Sequence, residues 1–208
     1  MVGKIVSDKT KILNENHVLK NKTCELLLEI DRLSELKKEN ERLRGLLDFE
    51  KRIGFNAVSA EIIARNPNDW MDSLIINKGA RGGITEDMAI CVSGGLLGKV
   101  VEVYENTSLI MLITHPGFKA GGMLKDSRIN GIIVGSGNGR AKMMYVPIDA
   151  EIRISEEVVT SGYSRIFPKG IRIGEIVAIE KSKTGLYKFA LIKPSADSFI
   201  QEEVLCVK

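Results

Sequence analysis

The first fifty or so residues repeat their hydrophobic side chains every three or four positions, which is the period of an α-helix. Charged residues occupy most of the positions between them, so the apolar stripe is narrow. The pattern predicts one long amphipathic helix over 8–54, and a narrow stripe with charged flanks is typical of a coiled coil. A single helix that packs on its own β region is the alternative.

The downstream half of this helix fits a heptad, while the upstream half follows the same spacing in another register. The two registers meet between Leu33 and Leu36, which indicates a discontinuity in the coiled coil. Asn40 falls at an a position, where a polar side chain favours two strands in register. The predicted dimerisation seam consists of Leu26, Ile30, Leu33, Leu36, Asn40, Leu43 and Leu47.

After residue 55 the pattern changes to short apolar runs, many of them alternating or β-branched, separated by Gly- or Asn-based turns. Closely spaced strands without a helical period indicate an all-β region of barrels or sandwiches. The predicted strands are 57–65, 71–77, 88–93, 96–103, 108–113, 119–124, 131–134, 142–146, 157–160, 175–180, 187–193 and 203–207.

Two parts of the β region resemble each other. The stretch 84–88 is similar to 154–158, and each is followed by a Gly-bearing turn and a closing strand. Gly98 and Gly174 take the same place before these closing strands. The repeat predicts two similar barrels in which both glycines serve a sharp bend or a close approach of the backbone.

Composition agrees with this division and excludes several classes. Nearly all of the 20 glycines and all five prolines follow residue 53. A net charge of +3 is far from the basic footprint of a nucleic-acid binder. No window approaches 18 consecutive apolar residues, so we expect no membrane span and no secretory leader in this chain. Three cysteines have no metal-ligand spacing and are expected to be small hydrophobes: Cys24, Cys91 and Cys206.

A search for catalytic chemistry comes out mostly negative. His17 lies in the charged helix and His115 precedes a proline in a turn. A pair of barrels with a histidine invites comparison with chymotrypsin-like proteases, but Ser93 lacks the residues that precede their nucleophile and comes before His115 in the chain. We therefore expect no enzyme, no cofactor and no metal site.

The order of motifs resembles the MreC family of rod shape-determining proteins over about 40–207. The end of the helix, Asn40-Glu41-Arg42-Leu43-Arg44 with Leu46-Leu47, resembles the end of the coiled coil in that family. The other matching residues are Arg65, Pro67, Trp70, Gly98, Thr160, Ser161, Gly162, Phe167, Pro168, Gly170 and Gly174. His115-Pro116 departs from the family, which usually has Asp-Pro, so no role is assigned to this turn.

The resemblance implies a mainly β fold, in which a coiled-coil helix precedes two six-stranded barrels similar to chymotrypsin-like barrels without their catalytic residues. With the strands above, it predicts a helix over 8–54, a first barrel over 57–103 with 186–208, and a second barrel over 104–185. The C-terminus would then return to the first barrel.

The function implied by the resemblance is a non-enzymatic scaffold of cell-wall elongation that helps to form and maintain cell shape. Such proteins lie on the outer face of the bacterial cytoplasmic membrane and self-associate as homodimers or larger assemblies. They contact the membrane protein MreD and a class B penicillin-binding transpeptidase, but no nucleic acid. A membrane helix anchors family members, so this chain is expected to be an ectodomain. The alternative is an extracytoplasmic adaptor of an efflux or secretion assembly.

Overall fold

The computed structural model describes a helical segment and a β region. The described residues are 20, 22, 23, 25–43, 45, 57–65, 72–163, 166–182, 186–198 and 201–208. Residues 25–43 form continuous helix, supported by exposed ion pairs at i, i+3 spacing such as Lys22–Glu25 at 3.2 Å. No helix among the described residues is long and apolar enough to cross a membrane. The ends of the predicted helix 8–54 lie outside the described residues.

Twelve β-strands form in the described part of the chain, one at each predicted site. A short 3₁₀ helix, Ala80–Gly82, follows β2. The strands are β1 (Ala57–Arg65), β2 (Ser73–Ile76), β3 (Ala89–Val92), β4 (Gly95–Val103), β5 (Ser108–Leu112), β6 (Lys119–Leu124), β7 (Asn130–Gly137), β8 (Arg140–Pro147), β9 (Glu157–Thr160), β10 (Arg172–Lys181), β11 (Tyr187–Pro194) and β12 (Glu203–Val207).

The strands close into two antiparallel barrels of six strands each, which confirms the predicted fold class. The first barrel has the order β1-β12-β3-β4-β5-β2, and the second has the order β10-β11-β8-β7-β6-β9. The C-terminal strand β12 pairs with both β1 and β3, so the chain does return to the first barrel at its end. Closure of both sheets leaves no unpaired strand edge in either barrel.

The predicted division of strands between the barrels is wrong at two places. Ser108–Leu112 belongs to the first barrel and Tyr187–Pro194 to the second, the reverse of the predicted assignment. Both errors cut a hairpin, because β5 pairs with β4 and β11 pairs with β10. Antiparallel strands joined by a short loop pair with each other, so a barrel boundary rarely falls within such a loop.

The two barrels share one topology in circularly permuted form. Followed in the same direction, β3-β4-β5-β2-β1-β12 corresponds to β9-β10-β11-β8-β7-β6. Strand β12 therefore takes the place that β6 has in the second barrel. Register irregularities also correspond, since β4 shifts against β5 between Val100 and Glu102, and β10 shifts against β11 between Ile176 and Ala178.

The hydrophobic core of the second barrel extends onto strands of the first barrel. Leu74, Ile110 and other apolar side chains fill the interior of the first barrel. A second cluster fills the other barrel and includes Cys91 and Leu96 of the first. The backbones of β4 and β10 approach each other closely between the barrels. A β-carbon on Gly95 would lie only 2.2 Å from the carbonyl oxygen of Arg172.

Candidate interaction surfaces

The helix carries exposed apolar side chains along the predicted dimerisation seam. The leucines and the isoleucine that the structure describes are 46–59% exposed, and Asn40 is exposed among them. Large apolar side chains rarely gather on a solvated face without a partner, so the stripe is available to another apolar surface. These residues are Leu26, Ile30, Leu33, Leu36 and Leu43. Leu47 and Cys24 lie outside the described residues.

Thr160 closes the loop between β9 and β10. Its side-chain hydroxyl donates to the carbonyl of Pro168 and accepts from the backbone N–H of Ile171 at 2.9 Å. The backbone N–H of Thr160 donates to the carbonyl of Ile171 at 2.8 Å, and the backbone N–H of Gly170 donates to the carbonyl of Thr160 at 2.9 Å. Thr160 is fully buried. The hydroxyl therefore holds both ends of this loop together.

The neighbouring motif residues complete the same loop. Gly162 and Gly170 adopt positive φ angles of 75° and 89°, which favour glycine. Ser161 N–H donates to the carbonyl of Gly121 at 3.0 Å, which ties the loop to β6. Phe167 is buried, and its ring centroid lies 5.7 Å from that of Phe118. The described residues of this motif therefore stabilise the loop between β9 and β10.

Gly98 and Gly174 occupy equivalent places, as the repeat predicted. Each lies between two neighbouring strands that correspond in the two barrels. A β-carbon on Gly98 would lie 2.1 Å from the carbonyl oxygen of Met111, and one on Gly174 would lie 2.2 Å from that of Lys193. Both glycines thus permit a close approach of β4 to β5 and of β10 to β11.

The preceding stretches correspond in a register that differs by two residues from the sequence match. Asp87 and Ser155 both have positive φ, at 64° and 68°. Their backbone N–H groups donate to the carbonyls of Val100 and Ile176. Each acceptor follows its glycine, Gly98 or Gly174, by the same number of residues along the chain. Asp87 therefore matches Ser155, whereas the repeat in the sequence pairs it with Glu157. Backbone hydrogen bonds define this correspondence. The similar side chains in the two stretches suggest a different register because they do not take part in these bonds.

Arg65, at the end of β1, has a structural contact. Its guanidinium donates to the backbone carbonyl of Ser198, in the segment that leads to β12. The contact holds the C-terminal segment beside the first barrel. Pro67 and Trp70 of the same motif lie outside the described residues.

The outer surface of the second barrel has an apolar feature that the sequence pattern did not predict. Several of the side chains that alternate with the buried interior positions of β7, β8 and β11 are apolar or aromatic, although Arg140, Lys142 and Lys193 are charged. Across the strands, Ile132 pairs with Met144, and Val134 pairs with Lys142, which pairs with Leu191. We call this surface the β7–β8–β11 face, formed by Ile132, Val134, Lys142, Met144, Tyr145, Tyr187, Phe189 and Leu191.

Aromatic and cationic contacts order this face. The rings of Tyr145 and Tyr187 meet edge to face with centroids 5.9 Å apart, and both side chains are exposed. The Lys142 ammonium lies 5.4 Å from the centroid of Phe189. Consecutive apolar residues at 132–134 and 143–146 are the signal that both faces of these strands are apolar. The same signal also predicts strands, so on its own it does not predict an apolar outer face.

An open groove lies beside β9 in the second barrel. Its lining includes Asp126, Arg153 and Glu156. Burial alone would raise the pKa of Glu156, but hydrogen bonds from the backbone N–H groups of Ser127 at 3.0 Å and Arg153 at 3.3 Å lower that pKa below its ordinary value. The carboxylate thus fixes the turn before β9 against the turn after β6.

The residues that suggested a protease have other surroundings. The Nδ1 atom of His115 accepts the backbone N–H of Gly117 at 2.9 Å, which stabilises its own turn. Ser93 is exposed in the turn between β3 and β4. Burial raises the pKa of Cys91 and Cys206 to about 12, with a smaller contribution from Cys206 to Cys91. Both are buried free thiols, which suits them to packing rather than to nucleophilic chemistry.

Comparisons with known proteins agree on one family. The family model described as "Rod shape-determining protein MreC, barrel core" matches residues 62–208. A cell shape-determining protein MreC from Listeria monocytogenes is 34% identical over 209 residues, which cover 98% of this chain and 71% of that protein. The matched region contains both barrels.

Solved structures give the same result. One described as MreC has a TM-score of 0.77 at 26% identity and covers 83% of this chain and 99% of its own. The major periplasmic domain of a cell shape-determining filament MreC has a TM-score of 0.64 at 27% identity, covering 74% and 96%. A complex of penicillin-binding protein PBP2 and MreC from Helicobacter pylori has a TM-score of 0.62 at 21% identity, covering 74% and 99%, a likeness of fold alone.

The fold and these matches define a class of proteins that contain two closed β-barrels and determine bacterial cell shape. The chain belongs to the MreC family of rod shape-determining proteins.

Proposed function

We propose that this chain is a non-enzymatic scaffold of the cell-wall elongation machinery that self-associates through its helix. Family membership supports the role in cell shape. The observation that carries the self-association is the exposed apolar stripe from Leu26 to Leu43. Each leucine that becomes fully buried in a paired seam stabilises the pair by roughly 1.5–3 kcal/mol.

The experiment places charges in the seam. Leu36→Glu with Leu43→Glu desolvates carboxylates in any coiled-coil core and is expected to give a monomer by light scattering, with barrel circular dichroism unchanged. The matched control is Leu28→Glu with Ser34→Glu, which adds the same charge at exposed positions outside the heptad seam. The control should keep the oligomeric state of the unchanged protein. A seam variant that still dimerises would move the interface to the barrels.

The partners in this proposal are a class B penicillin-binding transpeptidase and the membrane protein MreD. The Helicobacter pylori relative is described in a complex with PBP2, which supports the transpeptidase. Another relative is described as a periplasmic domain, which supports a place on the outer face of the cytoplasmic membrane. An anchor in the full-length protein would keep the barrels near both partners. MreD follows from family membership alone.

The chemistry of the described residues supports a scaffold rather than a hydrolase. His115 is engaged in its own turn, and the two thiols have raised pKa values. A fluorophosphonate probe that labels Ser93 or Ser161 would overturn this part of the proposal. The adaptor alternative usually needs a helical hairpin beside its β domain. No α-helix occurs in the described residues from 57 onward, so nothing favours that alternative.

A further inference from the structure

We propose that Asn138-Gly139, in the hairpin loop between β7 and β8, is a site of spontaneous deamidation. The chain contains two Asn-Gly dipeptides, Asn130-Gly131 and Asn138-Gly139. The first lies at the start of β7 and the second directly follows its end. The same dipeptide is therefore held in the sheet at one place and exposed in a turn at the other. The modification is expected at Asn138 and not at Asn130.

The reaction needs only this dipeptide and water. The backbone nitrogen of Gly139 forms a bond to the side-chain carbon Cγ of Asn138 and gives up its proton. The side-chain amide nitrogen takes up that proton and leaves as ammonia. Water then breaks one of the two C–N bonds of the cyclic imide. Cleavage at Cγ gives aspartate, whereas cleavage at the backbone carbonyl carbon gives isoaspartate, in which the main chain runs through the side chain. Glycine favours ring closure because it has no side chain to hinder its nitrogen.

The hairpin loop can reach the backbone geometry that ring closure requires. Gly137 pairs with Arg140, so the loop contains two residues. Asn138 and Gly139 have φ angles of 52° and 70°, as in a type I′ turn. A flip of the peptide plane between them gives a type II′ turn, the other common turn of two-residue hairpins, with a ψ angle of about −120° at Asn138. At that angle the Gly139 nitrogen lies on the same side as Cγ, where a five-membered ring can close.

The loop also stands clear of the surrounding structure. Among the described residues, a β-carbon placed on Gly137 or Gly139 would lie more than 4 Å from every atom outside the adjoining residues. Asn138 and Gly139 are both exposed, so water has access to the imide. The flip of the peptide plane therefore displaces solvent and leaves the pairing of β7 with β8 intact.

Asn130-Gly131 has the same chemistry but is held within the sheet. Asn130 is exposed as well, so exposure of the side chain does not distinguish the two sites. Asn130 pairs with Met123 and Gly131 pairs with Gly122. On the other side, a β-carbon on Gly131 would lie 2.7 Å from the carbonyl oxygen of Met144. Rotation of the Gly131 nitrogen toward Asn130 must first open the strand locally, which costs free energy that the open turn does not require.

The two products have different effects on the hairpin. Both add one negative charge beside the exposed side chain of Arg140. Aspartate keeps the turn, because Asp-Gly shares the preference of Asn-Gly for type I′. Isoaspartate inserts an extra carbon atom into the main chain, so the loop no longer matches the twist of the two strands. We expect the isoaspartate form to melt at a lower temperature than Asn138→Asp, which carries the same charge on a normal backbone.

The test incubates the purified full chain at physiological temperature and mildly alkaline pH and follows it by peptide mass spectrometry. Trypsin cuts after Arg128 and Arg140, so both asparagines lie in one peptide and are compared in the same spectrum. Fragment ions locate the mass gain that accompanies replacement of an amide by a carboxyl group, and isoaspartate methyltransferase identifies isoaspartate. We expect Asn138 to convert at least about tenfold faster than Asn130 in the folded protein.

The matched control is the same chain unfolded in guanidinium chloride. Both dipeptides lose their surroundings there and should convert at similar rates. Asn138→Gln should remove the fast conversion, because the longer side chain does not form the five-membered ring. Equal rates at the two sites in the folded protein, or faster conversion at Asn130, would overturn the inference. So would a folded protein in which Asn138 is slowed as strongly as Asn130 relative to the unfolded chain, because the turn would then protect its dipeptide. An isoaspartate form that melts together with Asn138→Asp would contradict the expected effect on the hairpin.

Discussion

At the scale of single residues, the motif positions act through the backbone. Thr160 ties together the two ends of one loop, and Gly162 and Gly170 supply left-handed turns within it. Gly98 and Gly174 leave room for a neighbouring carbonyl. None of these residues needs a ligand to explain its chemical type. The sequence predicted the close approach at the two glycines, but it could not show that Thr160 is a clamp, because its partners are backbone atoms.

The two strand glycines give the first prediction at this scale. Gly98→Val and Gly174→Val should each destabilise the fold by more than the roughly 1 kcal/mol span of strand propensities, because the new side chain meets a backbone carbonyl that cannot move aside. Thermal melting would measure this as a clear loss of stability. In the control Gly82→Val, the nearest atoms belong to the flexible Lys78 side chain, so a much smaller effect is expected. Equal losses at all three sites would contradict the interpretation.

Glu156 gives a prediction that depends on pH. Folding lowers the pKa of Glu156, so its carboxylate adds stability above the unfolded pKa of about 4.3. That contribution is lost as the pH falls through the lower pKa of the folded state. Glu156→Gln should therefore lower the free energy of unfolding at pH 7 by about 1.5–3 kcal/mol, the usual size for hydrogen bonds to a charged group.

The check is denaturant unfolding of both proteins at pH 7 and at pH 3. The difference between Glu156→Gln and the unchanged protein should shrink at pH 3, where the native carboxyl is also becoming neutral. A control at exposed Glu86 should show little difference at either pH. A gap that stays constant with pH would mean that the side chain acts through packing.

At the scale of elements, the sequence predicted where strands lie better than how they associate. Alternation and turn residues located every strand that the structure describes, because both signals are local. Barrel membership depends on which hairpins stay together, and the predicted boundaries at 104 and 186 each cut a hairpin. The β7–β8–β11 face was missed for a related reason. Runs such as 143–146 predict a strand, but sequence alone does not tell which side of it faces water.

The helix gives a prediction at this scale. If Asn40 lies at a paired a position, Asn40→Leu should raise the melting temperature of the oligomer, because it removes a desolvated amide from an apolar seam. The same change should loosen the oligomeric state toward mixtures, since the polar residue that favours two strands is lost. Sedimentation velocity and thermal melting measure the two effects.

A matched control separates the seam from general helix stabilisation. Ser34→Leu adds a leucine at an exposed position outside the heptad seam, so it should leave the distribution of oligomers unchanged. A lower melting temperature for Asn40→Leu would indicate that Asn40 makes a favourable contact elsewhere.

At the scale of the whole β region, the two barrels depend on the chain's last strand. β12 is buried on both faces: Val204 and Cys206 pack inside the first barrel, while Leu205 and Val207 join the core of the second. It also closes the first sheet between β1 and β3. In the second barrel the equivalent strand, β6, comes first along the chain. The first barrel therefore closes only with β12, a strand that follows the whole second barrel along the chain.

Removal of β12 should therefore affect both barrels. A chain that stops before Glu203 would leave β1 and β3 as open edges and would uncover part of the shared core. We expect it to lose cooperative unfolding and to aggregate, as measured by calorimetry and light scattering. The control removes only Lys208, an exposed residue whose Nζ lies 3.5 Å from Thr85 Oγ1, and should change stability by less than about 0.5 kcal/mol. If the chain without β12 still gave one sharp transition at the melting temperature of the unchanged protein, the second barrel would be stable without the core it shares with the first. The cluster that contains residues of both barrels would then be a contact between independent folding units.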